Sequence, residues 1–427
     1  MTAPDAIVVG GGIGGLGAAL ALSRKGVRVR VLERAKEFGE VGAGLQVAPN
    51  GTRILHAYGL LDEVRALGVQ PENMVMKDAL DGQELTRLDL ADLERHYGFP
   101  YLVIHRSDLH AILLRACRAA GVELLNDQSV TDYKDTRHGA QVLFADGRSN
   151  AAEVVIAADG LHSVARGLIS IDGPVSSAYV AYRAAVPIAA VSGHGVSATD
   201  VVVHVGPRCH FVQYPLRGGE MFNQVAVFES PSALAGKDEW GTPDELVDAF
   251  AHTSTQVRQG IPLMWRDRWW PMFDRDPITN WLHGRIVLLG DAAHAPLQYL
   301  AQGAVMAIED GWVLAEHVGR HGTVRSATGS GIAWDKALAA YNSVRPEHCR
   351  RVVLAARAWG ELWHLDGAAR EQRNDVLRNR ETGDYSFTDW LYGQTALVPE
   401  EEPELFRTTS LDGRADAGAA RRQSPIG

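Results

Sequence analysis

The segment Gly10-Gly11-Gly12-Ile13-Gly14-Gly15 constrains the fold more than any other part of the chain. It satisfies G-x-G-x-x-G and directly follows the apolar run Ala6-Ile7-Val8-Val9. Ile13, Leu16 and Leu20 then recur at helical spacing, and Val27, Val29 and Val31 alternate with Arg28 and Arg30 up to Glu33. This order reads as strand, tight turn, helix, strand and acid, the opening of a Rossmann-type α/β sheet. Gly10 permits the turn, Gly12 lets a pyrophosphate reach the backbone, and Gly15 lets the helix pack on the strand. The helix that begins near Ile13 turns its N-terminus to the phosphates. Glu33 ends the second strand about 20 residues on, where a carboxylate binds ribose hydroxyls. A ligand-free turn would explain the glycines, but not the acid and the flanking strands. NAD and FAD both present an adenosine ribose and a pyrophosphate, so the motif does not separate them.

The rest of that sheet comes from distant pieces. Residues 153–158 and 285–289 are short apolar strands, followed by Asp159-Gly160 and Gly290-Asp291. Residues 106–120 read as a helix opened by Ser107-Asp108, and residues 304–318 and 333–365 as two more. Residues 175–275 differ in character. Strands at 201–203, 209–214 and 225–228 are joined by Gly206-Pro207-Arg208 and Arg217-Gly218-Gly219. The expected architecture is a nucleotide-binding domain over 1–174 and 276–398 that includes C-terminal helices. An antiparallel substrate domain is inserted at 175–275, and a disordered tail follows at 399–427.

Composition removes several classes of function. Lys plus Arg is 42 and Asp plus Glu is 52, a net charge of −10 that disfavours nucleic acid and anionic membranes. Cys117, Cys209 and Cys349 are far apart, with neither disulfide nor zinc spacing. No metal site is expected. No apolar run approaches the roughly 20 residues of a membrane span. The expectation is a cytoplasmic protein.

Asp159-Gly160-Leu161-His162-Ser163-Val164-Ala165-Arg166 and Gly290-Asp291-Ala292-Ala293-His294 carry the next step. With the glycine motif before them, in this order, the chain resembles the FAD-dependent aromatic hydroxylases, the single-component flavoprotein monooxygenases. The likeness covers roughly residues 5–395. It implies FAD as cofactor, with Asp291 on the ribityl chain and Asp159 serving FAD and pyridine nucleotide. It also implies cofactor contacts at Arg34, at Gln46 and Val47 in the loop from Phe38 to Val47, at Arg106, and at Val130. The blocks 206–219, 296–304 and 359–364 narrow the likeness to members acting on 3-hydroxybenzoate. Two departures stand out: Ala184 follows Arg183 in place of the usual glycine, and Gln298-Tyr299-Leu300-Ala301 replaces a glycine-containing loop.

The resemblance implies NADH-dependent para-hydroxylation of 3-hydroxybenzoate to gentisate, with O2 adding to reduced FAD as a hydroperoxide. Salicylate 1-hydroxylation, or action on another small phenolic acid, is the alternative. A flavin oxidase or reductase that never transfers oxygen and a non-enzymatic binder of apolar ligands are readings from other classes. No second G-x-G-x-x-G occurs, as expected where NADH binds transiently. Gly303 and Ala304 open a helix whose N–H groups and dipole suit an anionic reduced flavin. The phenol must lose its proton, and His210 is the preferred acceptor among 16 histidines. It lies mid-strand, and alternation puts His210, Val212 and Tyr214 on one face. The resemblance assigns His210 and Gln298 to the substrate hydroxyl, with Tyr214 nearby, and relatives suggest a homodimer. Cys209 belongs to the opposite face, and Trp265, Trp269, Trp270, Trp359 and Trp363 are expected in the core.

Overall fold

The structure, a computed structural model, describes residues 4–39, 42–322 and 331–393. The expected tail at 399–427 lies outside the described residues, as do Glu40 and Val41 of the loop expected to contact the cofactor.

A six-stranded sheet forms the base. Ala6–Val9 runs parallel to Val29–Leu32 on one side and Val154–Ala157 on the other, with Val8 opposite Val31 and Ile156. Ile286–Leu288 joins beyond Val154–Ala157, Leu282–His283 forms that edge, and Glu123–Leu125 closes the other. All of Ala6–Val9 and Val154–Ala157 is buried, as parallel strands covered on both faces require. Helix Ile13–Arg24 lies against helix Gly303–Arg320. Gly14 faces Ala307, Gly17 faces Ile308, and a Cβ on Gly311 would sit 2.5 Å from the Ala18 Cα. Residue numbers rise together along this contact, so the two helices run in the same direction and open at the same end.

The second sheet has seven strands, in the order Trp270–Asp274, Val175–Pro187, Met221–Glu229, Cys209–Leu216, Val201–Gly206, Asn73–Asp78 and Glu84–Asp89. Five come from the region read as antiparallel. The last two come from far earlier, and Val201–Gly206 pairs parallel with Asn73–Asp78, with Val203 opposite Met76. Parallel pairing needs a partner distant in sequence, and no local period announces it. Alternation divides the faces of this sheet. Cys209 and Phe211 join Val180, Tyr182, Ala226 and Phe228 in a separate core under helix Pro243–Phe250. His210, Val212 and Tyr214 line a cavity between the two sheets.

Helix Arg106–Ala119 begins where the sequence placed it and ends one residue earlier, but its cap is the His105 ring, which accepts from the Ser107 N–H, rather than Ser107-Asp108. The long helix Trp334–Trp363 is followed by Gly367–Arg378 and Ser386–Tyr392, which the sequence reading did not separate. No helix among the described residues is long and apolar enough to cross a membrane.

Candidate cofactor and substrate site

A cavity of ≈ 1530 Å³ runs from the glycine turn to the second sheet. The glycine end fits a dinucleotide on geometry. Gly10 has φ +110° and faces the Ala158 carbonyl so closely that no side chain fits there. Gly12 is the N-cap of Ile13–Arg24 and gives it no side-chain cap, which leaves the first helical N–H groups for a phosphate. Glu33 accepts from the Gly11 N–H at 2.7 Å and the Ala35 N–H at 2.8 Å. Each carboxylate oxygen keeps a lone pair for a ribose hydroxyl. Gly10, Gly12, Ile13, Gly15, Glu33, Arg34, Gln46, Arg106, Val130, Asp159, Asp291, Gly303 and Ala304 all line this cavity. Val47 does not: its side chain is buried against Gly51, because alternation turns it inward beside Gln46.

Asp159 accepts from the Tyr133 hydroxyl at 2.9 Å and the Val164 N–H at 3.0 Å. Its other oxygen is buried without a partner, a vacant acceptor on the cavity wall. Gly290 has φ +63°, and its N–H donates to Asp310 at 2.9 Å. Asp310 also meets His294 Nε2 at 2.6 Å and Arg345 Nε at 2.7 Å. Burial works against the Asp310 carboxylate, yet His294 and Arg345 hold it at about 2. Burial likewise disfavours the His294 imidazolium, yet Asp310 keeps it well above the usual histidine range. Arg345 Nη1 reaches Glu309 at 3.1 Å, and Asn50 Nδ2 bridges Glu309 and Gln302 at 2.8 and 2.9 Å. The two segments bearing Asp291 and Gly303-Ala304 thus hang on one buried network. Among the described residues, His294, Asp310 and Cys349 form the one group with metal-ligand spacing. Arg345 already occupies it, 3.2 Å from the Cys349 sulfur.

At the other end, Gln298 and Tyr299 sit on the turn Gln298–Leu300, facing His210, Val212 and Tyr214 across the cavity. A Cβ on Gly44 would collide with the Tyr214 ring, which explains the glycine at this position. His210 is 1% exposed, and its Nδ1 lies 2.9 Å from His364 Nε2. Burial pushes His210 well below 6.5 and His364 down to about 3, so both rings are neutral at neutral pH. Burial pushes the Cys209 thiol up to about 12, which leaves it unreactive.

The sequence reading missed four features here. Arg183 lines the cavity, with its guanidinium 3.5 Å from Gln298 Oε1 and 5.6 Å from the Trp270 ring centroid. A lone cation in the apolar run of Val175–Pro187 was a usable signal. Tyr299 is the second, its ring 5.4 Å from that of His210. His364 is the third, 154 residues from its partner and legible only as the end of a tryptophan-rich block. The fourth is that Trp359 and Trp363, which pack with the main core as expected, also line the cavity, because one helix face turns toward His210, with the Trp363 ring 5.0 Å away. Trp269 does belong to the separate core.

The comparisons agree with this geometry. The family described as FAD binding domain matches residues 4–356. The chain is 36% identical to a 3-hydroxybenzoate 6-hydroxylase of Klebsiella oxytoca over 397 residues, covering 91% of this chain and 96% of that protein. It is 37% identical to the 3-hydroxybenzoate 6-hydroxylase of Polaromonas naphthalenivorans, over 91% of this chain and 95% of that protein. Its fold matches Klebsiella pneumoniae HpxO complexed with FAD and uric acid at a TM-score of 0.78 and 28% identity, over 92% of this chain and 96% of that one. A glycine cradle that excludes side chains, an uncapped helix end and a family match over most of the chain lead to one assignment: the chain belongs to the FAD binding domain family, among its FAD-dependent aromatic hydroxylases.

Proposed function

We propose that this chain hydroxylates 3-hydroxybenzoate at the carbon para to its hydroxyl, giving gentisate, with NADH as reductant and O2 as oxidant. The observation that carries the reading is the neutral, buried His210 on the cavity wall, opposite Gln298 and near the Arg183 cation. Bound FAD supplies the reducing equivalents and the activated oxygen. The residues do the rest. His210 Nδ1 is engaged by His364, which leaves Nε2 to accept the phenol proton. The phenolate then raises electron density at its para carbon, and its charge makes the adjacent imidazolium more favourable. Gln298 orients the hydroxyl but cannot take its proton at neutral pH. Arg183 is the cation suited to the benzoate carboxylate. Tyr299, Trp359 and Trp363 keep water from the reacting atoms.

NADH oxidation is measured with a panel of phenolic acids, with product identification and ¹⁸O2 labelling. Gentisate carrying one labelled oxygen is the expected product. Catechol from salicylate, with 3-hydroxybenzoate inert, would overturn the reading. A homodimer in the cytoplasm belongs to the same reading, and sedimentation at graded protein concentration tests the dimer.

A further inference from the structure

His364 is not used by the chemistry above except as the neighbour of His210. It follows helix Trp334–Trp363 directly, as its C-cap. Its Nε2 is 2.9 Å from His210 Nδ1, and the two rings meet edge to edge, with centroids 5.2 Å apart and 21° between planes. Tyr179 covers its far face at 4.5 Å and 12°. Its backbone carbonyl accepts from the Arg208 N–H in the turn before His210, so both histidines are tied to one turn. His364 is 9% exposed where His210 is 1%, which makes it the outer member of the pair.

We propose that His364 is a positioning and proton-accepting residue, the outer half of a two-histidine relay that ionises the phenol. The proposal rests on the phenol-hydroxylating reading above. For Nε2 of His210 to accept a proton, its Nδ1 must carry one, and that proton must point at a lone pair. His364 Nε2 supplies it. On ionisation, the phenol O–H bond breaks and an N–H bond forms at His210 Nε2. The Nδ1–H bond of His210 breaks in turn, and an N–H bond forms at His364 Nε2. The positive charge moves one ring outward, and no oxidant or reductant is needed. The charged groups around the pair are few. Burial first, and then Arg373 on helix Gly367–Arg378, hold His364 in its neutral form, and Asp78, from the second sheet, offsets Arg373 at 3.6 Å. Tyr179 and Tyr299 face the rings, and both phenols are raised by burial, so they remain neutral.

The test uses oxidised FAD holoenzyme without NADH, so turnover is not the readout. Two probes are titrated across neutral pH: 3-hydroxybenzoate, and a nitrophenol whose phenolate is coloured whatever the true substrate is. Wild type is expected to bind both with a raised phenolate fraction. His364→Ala should hold about tenfold less bound phenolate at a given pH, which is one pKa unit, with unchanged flavin content. His364→Gln can accept the Nδ1 proton through its amide oxygen but cannot carry the charge outward. It should keep wild-type affinity and still lose phenolate, and it decides the question if the alanine variant does not fold. Superimposable titrations in wild type and His364→Gln would overturn the relay, as would a wild type that binds the nitrophenol only as the neutral phenol. A nitrophenol response with no binding of 3-hydroxybenzoate would instead overturn the substrate reading and leave the relay standing.

Discussion

Asp310 accepts the backbone N–H of Gly290 at 2.9 Å and meets His294 at 2.6 Å. One buried carboxylate therefore spans both ends of the four-residue helix Asp291–His294. Asp291 faces the cavity, and its position depends on a residue that does not. Asp310→Ala should release that helix and leave Arg345 with one carboxylate partner, Glu309, beside its contacts to the Met306 carbonyl and the Cys349 sulfur. Breaking a buried pair costs about 3–5 kcal/mol. We expect a clear fall in thermal unfolding temperature together with easier loss of flavin. An unchanged melting curve would sink this account.

Asp291→Ala separates the contact from its support. It should lower FAD retention while leaving the Asp310 network and the apo stability intact. Flavin absorbance per chain after dialysis measures this, and full retention would remove Asp291 from the cofactor site.

His210→Ala should keep its flavin and still be reduced by NADH. Hydroxylated product should drop by about 10²–10⁴-fold, the usual size of general-base assistance. More of the consumed oxygen should appear as hydrogen peroxide. Gln298→Ala should show a milder defect of the same kind. Unchanged coupling in His210→Ala would return this histidine to a packing role.

The glycine motif, the expected helices at 304–318 and 333–365, and the cavity face of the strand Cys209–Leu216 were legible because each is a local pattern. A period of two put His210, Val212 and Tyr214 together, and the cavity receives all three. What was not legible depends on distant partners. The strands at residues 73–89 acquire their role only when Val203 pairs with Met76. His364 gains meaning from a residue 154 positions away. His294 stood at the end of the Gly290–His294 motif and Asp310 inside an expected helix, and neither pattern tells of the bond between them or of Arg345 joining Asp310 to Glu309. Val47 was carried along with its neighbours by resemblance, and alternation sends it the other way.

The buried network also sets a pH window. Asp310 is depressed from 3.8 to about 2 in the folded protein. Its contribution is present above its unfolded value and is lost as pH falls toward about 2. His294 is raised, so its contribution is full below its unfolded value near 6.5 and is lost as pH rises through its folded value. Stability should therefore decline on the alkaline side through His294. His294→Gln should be less stable near neutrality and should lack that alkaline decline. A wild-type profile in His294→Gln would show that the imidazolium contributes nothing.

Gly44→Ala tests the fit between the loop and the second sheet. Its Cβ would displace the Tyr214 ring, and overpacking of this kind typically costs about 1–3 kcal/mol. Coupling of NADH oxidation to product should fall while flavin content changes little. Normal coupling would show that Tyr214 has room to move.

The strand Cys209–Leu216 is divided by parity. Cys209 and Phe211 belong to a closed apolar core, and Gln213 is sealed by a bond to Gln224 at 2.8 Å. The even positions 210, 212 and 214 face the cavity. Descendants of this chain can therefore explore new phenols by changing alternate letters of one short stretch, while the intervening letters hold the scaffold constant. A single-residue insertion or deletion at the Pro207-Arg208 turn would exchange the two sets. It would put the thiol and the phenyl ring among the reactants and the imidazole in the oil. Selection should tolerate many substitutions here and almost no change in length.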